Sequence, residues 1–205
     1  MSLRTTAFLV PILLSPSLPS LAQQAKPQPE GHMKMLAALK EILDKTDDEN
    51  WLLGDVKIRE LKQKLASMKE GAPVQVSFKT MVELGDALVY YGDEREGLGV
   101  FKQSFELDAS TIPPGLYQDS KIRFAAAWLR LAETENCCQQ HNAESCILPL
   151  RGPAVHTKQE GSKNAMALLK EVLDATKPRT PSHLKAKWFY NMTAMTLGKY
   201  PDGVE

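Results

Sequence analysis

The chain has 205 residues, with 25 Lys and Arg balanced by 25 Asp and Glu. That length fits one or two domains, and a 43% apolar share is enough for a packed core. The balanced charge argues against nucleic acid, whose phosphates demand clusters of Lys and Arg.

Residues 1–22 read as a cleaved export signal. Arg4 gives a short basic start, Ala7 to Leu14 an apolar run, and Ser20-Leu21-Ala22 the small residues before a cut at Gln23. The run is too short to span a bilayer, and nothing after residue 22 is long and apolar enough to do so. The expected location is periplasmic or extracellular, where cysteines pair. Residues 23–31, with Pro27 and Pro29, read as a linker.

Residues 32–73 read as N-terminal helices. Met35, Leu36, Leu39, Ile42 and Leu43 share one face, and Ile58, Leu61, Leu65 and Met68 repeat at three and four. Asp55 is the expected N-cap of the second, and Gly71 with Pro73 its stop. Further helices are expected over about 74–91, 94–108, 119–136, 161–176 and 182–198. No run alternates with period two long enough to make a strand.

These helices come in pairs. In the first, Met81-x-x-Leu84-Gly85-x-x-Leu88 precedes a turn at Gly92, then Gly97-x-x-x-Phe101. In the second, Trp128-x-x-Leu131-Ala132 precedes Ala165-x-x-x-Leu169, which arrives late because residues 136–160 are inserted. A partial third unit follows with Lys187, Tyr190, Asn191 and Ala194, then Gly198. The spacing resembles the tetratricopeptide repeat, with Met81, Leu88 and Ala109 as departures. Small residues let antiparallel helices approach, and large ones fill the gap beside them. The expectation for 74–205 is all-α, with antiparallel helix pairs stacked as a short tetratricopeptide-like solenoid. Leu84, Gly85, Gly92, Phe101, Trp128, Leu131, Ala165 and Leu169 are its packing residues. The chain stops where a second helix of the third unit would begin. We therefore expect the protein to continue past Glu205, and Phe189, Met192, Met195 and Leu197 to be poorly covered.

The insertion holds all three cysteines and two of the four histidines, in "ENCCQQHNAESCILPLRGPAVH". Covalent haem needs Cys-x-x-Cys-His, and Cys137-x-x-Gln140-His141 lacks the second cysteine. A tetrahedral metal site could draw on Cys137 or Cys138 with His141, Cys146 and His156. A thiol catalyst would need a Cys–His pair and an orienting group such as Asn136, Asn142 or Glu144. The reading the compartment favours is a disulfide from Cys146 to Cys137 or Cys138, stabilising a short loop by about 2–3 kcal/mol. His141 and His156 are then polar loop residues or partners of backbone groups, and "LPLRGPAVH" crosses the surface. Neither a Gly-rich phosphate loop nor a Ser/His/Asp signature is present.

Residues 120–204 further resemble the N-terminal helical region of exported bacterial proteins related to cartilage acidic protein 1. The features are Glu135-Asn136-Cys137, His141-Asn142, Ser145-Cys146, Pro149, Gly152, His156, Gly161-Ser162 and Leu197-Gly198-x-Tyr200-Pro201. Pro153 departs from the pattern, and Cys138 is an added cysteine. The resemblance implies Cys137 as the partner of Cys146, and FG-GAP/VCBS repeats with an ASPIC/UnbV segment downstream. The function expected is a non-enzymatic binding or scaffold module without a cofactor. Its partner would be a protein or peptide, or its own missing C-terminal domain. A metal- or redox-active loop built on Cys137, His141, Cys146 and His156 is the alternative.

Overall fold

The computed structural model describes residues 29–46, 54–68, 71–145 and 147–204. The segment read as an export signal, most of the expected linker and Cys146 lie outside the described residues. The chain divides into two units, 1–43 and 44–205. The described part of the first unit is most of α1 (Glu30–Thr46), which begins inside the expected linker. Its apolar residues Met35, Leu36, Leu39, Ile42 and Leu43 follow the helical spacing, and Lys34 pairs with Glu30 at 2.7 Å.

The second unit is all-helical among its described residues: α2 (Val56–Ala66), α3 (Val74–Tyr91), α4 (Glu94–Ser104), α5 (Pro114–Glu133), α6 (Glu160–Ala175) and α7 (Pro181–Thr196). No described helix is long and apolar enough to cross a membrane.

Local signals set the boundaries. α3 stops at Gly92, whose φ of 108° is left-handed, and its amide donates back to Leu88 O. α5 begins at Pro114, five residues before the expected start, because proline at the first helical position has no amide to waste. α4 ends at Ser104, short of the expected 108, and the chain turns into a 3-10 segment at Ala109–Thr111. Asp55 holds the N-cap position of α2 without a side-chain cap bond; its carboxylate faces Arg59 at 3.4 Å instead.

From α2 to α7, each helix runs antiparallel to the next. Arg95 and Glu94 at the start of α4 meet Glu135 and Thr134 just past α5. Lys121 near the start of α5 meets Glu171 late in α6. Ser162 at the start of α6 meets Thr196 at the end of α7. Alternate helices are parallel, as Arg123 of α5 pairs with Asp86 of α3, and Ser182 of α7 donates to Asp119 of α5.

Glycines allow the close approaches. A Cβ on Gly97 would lie 2.8 Å from Gly85 O, and one on Gly161 would lie 2.5 Å from Trp128 O. Phe78, Val82, Phe101, Phe124 and Leu131 fill one core between α3, α4 and α5. Ile122, Leu129, Ala165, Leu169 and Val172 fill a second between α5, α6 and α7, and Trp128 packs against both. Leu84 faces the other way, joining Ile58, Leu61 and Leu88 under α2.

Two expectations need correction. The later part of the insertion does not merely cross the surface: Leu150, Ala154 and His156 are buried. On α7, Leu197 is buried and Phe189 and Met192 pack on the second core. The exposed apolar residues there are Leu184 and Trp188, one helical turn apart.

Candidate functional site

The insertion begins by widening the end of α5. Thr134–Cys138 forms a π-helical turn, a local distortion that recurs at functional sites. The buried carboxamide of Asn136 holds it. Its Nδ2 donates to Ala132 O at 2.8 Å and to Lys158 O at 3.0 Å. Its Oδ1 accepts the amides of Thr157 and Lys158, both at 2.9 Å. All the bonding capacity of the side chain is used to tie the end of the insertion to its beginning. Asn136 therefore does not orient a catalytic histidine, as the sequence allowed. Asn142 also serves the loop: Oδ1 accepts from Glu144 N and Nδ2 donates to Pro153 O.

The tie carries Cys137 and His156 into contact, with Sγ and Nε2 3.4 Å apart. His156 is 2% exposed. Its amide donates to Thr196 O at 2.9 Å, and its Nδ1 lies 3.2 Å from Ser162 Oγ. Ser162 Oγ is in turn 2.8 Å from Thr196 Oγ1, which is also 2.8 Å from Thr193 O. Burial pushes the imidazole below its ordinary value, so it is a neutral base at neutral pH.

The chain of hydroxyls can satisfy two protonation states. If Thr196 donates to the Thr193 carbonyl, Ser162 donates to Thr196 and accepts from Nδ1–H. Nε2 then accepts a proton from the Cys137 thiol. If Thr196 donates to Ser162, Ser162 donates to Nδ1, and Nε2–H points at the sulfur as a thiolate would require. His156 is thus bonded to backbone through its amide, while its ring is held between Cys137 and Ser162.

Two cavities meet at Cys137. A polar one of about 30 Å³ is lined by Asn136, Gln140, Asn142, Ser145 and Thr157, with His156 at its wall. A larger one of about 360 Å³ has Leu129, Leu148, Leu150 and Met192 as apolar walls, with Arg130 and Glu133 also present. His141 is exposed, and Cys138 is exposed with a free thiol. No three His, Cys, Asp or Glu side chains among the described residues are arranged to hold a metal ion. The expected Cys137–Cys146 bridge rests on Cys146, which lies outside those residues.

Sequence reasoning missed Ser162 and Thr196, which sit 34 positions apart and meet only because α6 and α7 are antiparallel. The available signal was Gly161, which lets the first turn of α6 close on α5 and sets Ser162 under the imidazole.

A second feature lies at the other end of the unit. Ile58, Ala87, Tyr90 and Tyr91, with Lys57, Glu60 and Asp86, line a mainly apolar groove of about 650 Å³ between α2 and α3. Tyr90 is 83% exposed and Tyr91 53%. Comparison with family models, with curated proteins and with solved structures returned no match.

Proposed function

We propose that this chain is an exported helical-repeat module that binds a protein or peptide, acting as a scaffold and not as an enzyme. In this reading the alternating helices are tetratricopeptide-like, and the module needs no cofactor. It is the N-terminal part of a larger FG-GAP/VCBS-type protein, and a Cys137–Cys146 disulfide clips its insertion. The observation that carries the reading is the α2–α3 groove, where Tyr90 and Tyr91 hold large aromatic faces in solvent beside an apolar floor. Aromatic side chains offer wide contact area at low entropic cost, and stacked helices suit extended ligands.

A random peptide library displayed on phage and selected against the folded chain tests it. Enriched peptides should bind the wild type and lose at least about tenfold in affinity against Tyr90→Ser/Tyr91→Ser, because such aromatic anchors carry 2 kcal/mol or more. The double variant should keep its melting temperature, since both residues are exposed. Failure to enrich any peptide over an albumin control, or equal binding by the double variant, rejects the groove as the binding surface.

A further inference from the structure

We propose that the outward face of α7 docks this chain on an anionic lipid bilayer, with Leu184 and Trp188 entering the interface and the surrounding cations meeting the headgroups. This goes beyond the binding-module reading, uses a different face from the α2–α3 groove and does not depend on it.

The face follows from the packing of α7. Ala186, Thr193 and Ala194 are buried against the rest of the unit. At about 100° per residue, Leu184, Trp188 and Met195 fall on the opposite side. Leu184 is 55% exposed and Trp188 59%. The indole is braced there: its ring meets Phe189 edge-on at 4.8 Å, and Phe189 packs on the second core. Tyr200, also exposed, follows just after the helix. Contiguous exposed apolar side chains mark an interaction surface.

The charges around this stripe set the sign of the partner. Lys185 and Lys187 lie on either side of Trp188 around the helix. Lys177 and Arg179 precede α7, and Lys199 follows it. The nearby carboxylates are engaged: Asp174 holds Lys170 and Glu171 holds Lys121, both at 2.7 Å, while Asp119 accepts from Ser182 and faces Lys185 at 3.9 Å. Among the described residues, Lys177, Arg179, Lys187 and Lys199 have no ion-pair partner, and Asp202 is the remaining acid of this stretch. A chain with no net charge thus gathers unpaired cations around one apolar stripe.

Arg179 adds an independent sign of use. Its φ is 69°, in the left-handed region, within a turn closed by the Thr180 amide on Lys177 O at 3.2 Å. Glycine adopts that conformation freely, whereas a long side chain strains it. A cation kept at a strained position points to a role for its charge.

The pattern selects a bilayer over a protein. Cations border the stripe on both flanks and at both ends of a helix about 24 Å long, the arrangement of a helix lying in the interface plane. Lysine stems run along apolar surface while their ammonium groups reach the headgroups, and tryptophan favours that boundary. A second copy of the same face would set like charges together. The recess beside it, between α6 and α7, is about 160 Å³ and lined by Lys170, His183, Lys187, Tyr190 and Asn191. It has room for one side chain and not for an extended peptide.

The test mixes the chain beginning at Gln23, the expected product of signal cleavage, with vesicles of phosphatidylglycerol and phosphatidylcholine in equal parts. Co-sedimentation should be saturable, and at least about tenfold weaker on pure phosphatidylcholine or when salt rises from about 50 to about 500 mM. Lys187→Gln and Arg179→Gly should each weaken it about fivefold, one cation's share, and Arg179→Gly should keep or raise the melting temperature. Leu184→Ser/Trp188→Ser should weaken it at least about tenfold through lost apolar contact. Trp188→Phe should still bind but lose the blue shift of tryptophan emission that binding produces. Tyr90→Ser/Tyr91→Ser should bind vesicles as the wild type does, which separates this face from the peptide groove. Any binding by the segments before α2 persists in every α7 variant. Full-strength binding by Lys187→Gln and by Leu184→Ser/Trp188→Ser would therefore overturn the proposal. So would equal binding to neutral vesicles, a blue shift that survives Trp188→Phe, or capture of polyglutamate without capture of vesicles, which would make the partner an acidic protein.

Discussion

A methyl group added at Gly85 would lie 2.7 Å from Phe101 Cδ2 and 2.8 Å from Cε2, and the buried ring has nowhere to retreat. Gly85→Leu should therefore cost about 1–3 kcal/mol by overpacking. Gly99 sits in α4 with nothing within 4 Å of a built Cβ, so Gly99→Ala should gain about 0.5–1 kcal/mol from helix propensity. Circular dichroism melts of the pair separate a packing glycine from an incidental one; equal shifts would refute the distinction. His156 gives a pH signature whose sign follows from its surroundings. Burial lowers its proton affinity in the fold, so the unfolded chain binds more protons as pH falls. Its contribution is fully present above about pH 6.5, the ordinary imidazole value, and is lost progressively below it. Urea unfolding at pH 7.5 and 5.5 should show a larger acid loss in the wild type than in His156→Gln. The opposite order would mean that the native state stabilises the imidazolium.

At the scale of elements, the join between α5 and the insertion depends on one carboxamide. Asn136→Ala leaves the amides of Thr157 and Lys158 and the carbonyl of Ala132 without their side-chain partner. The expected cost is about 2–3 kcal/mol, since each unsatisfied buried group is expensive. Hydrogen exchange should show lost protection at residues 157 and 158 with α3 and α4 unchanged; uniform loss would mean that Asn136 supports the whole unit. That tie was not legible in the sequence, because a polar residue among helical ones gives no sign of which distant amides it meets. The helices themselves were legible. Leu84, Gly85, Phe101, Ala165 and Leu169 fell on faces that periodicity defines, and Gly92 marked its turn because only an achiral residue takes a φ of 108° cheaply. The start of α5 was written at Pro113-Pro114, yet the apolar stripe is clear only from Ile122 onward, so the reading began late. The meeting of Cys137 with His156 was beyond reach from spacing alone, since they lie 19 positions apart in an insertion whose sequence has no helical period.

Across the whole second unit, the two larger cores are not independent. Trp128 and Leu168 pack against both, so α5 is shared structure between the α3–α4 pair and the α6–α7 pair. In stacked helical arrays, stability is the sum of local units and the interfaces joining them, and cooperativity persists only while the interfaces are strong. Trp128 contributes on both sides, and its backbone carbonyl also abuts Gly161, where α6 closes on α5. Trp128→Ala should cost about 3–5 kcal/mol, the usual range for emptying a large aromatic site. More telling than the size is the shape of the transition. The wild type should unfold from residue 56 onward in one step, because each core borders the other. In the variant, the interface is weakened while Phe101–Phe124 stacking on one side and Leu169–Val172 packing on the other survive. Denaturation followed both by far-ultraviolet circular dichroism and by hydrogen exchange should then show the α6–α7 side losing protection before α3 and α4. Coincident loss in the variant at every amide would show that the cores are coupled through contacts other than Trp128, with Leu168 the next to be removed.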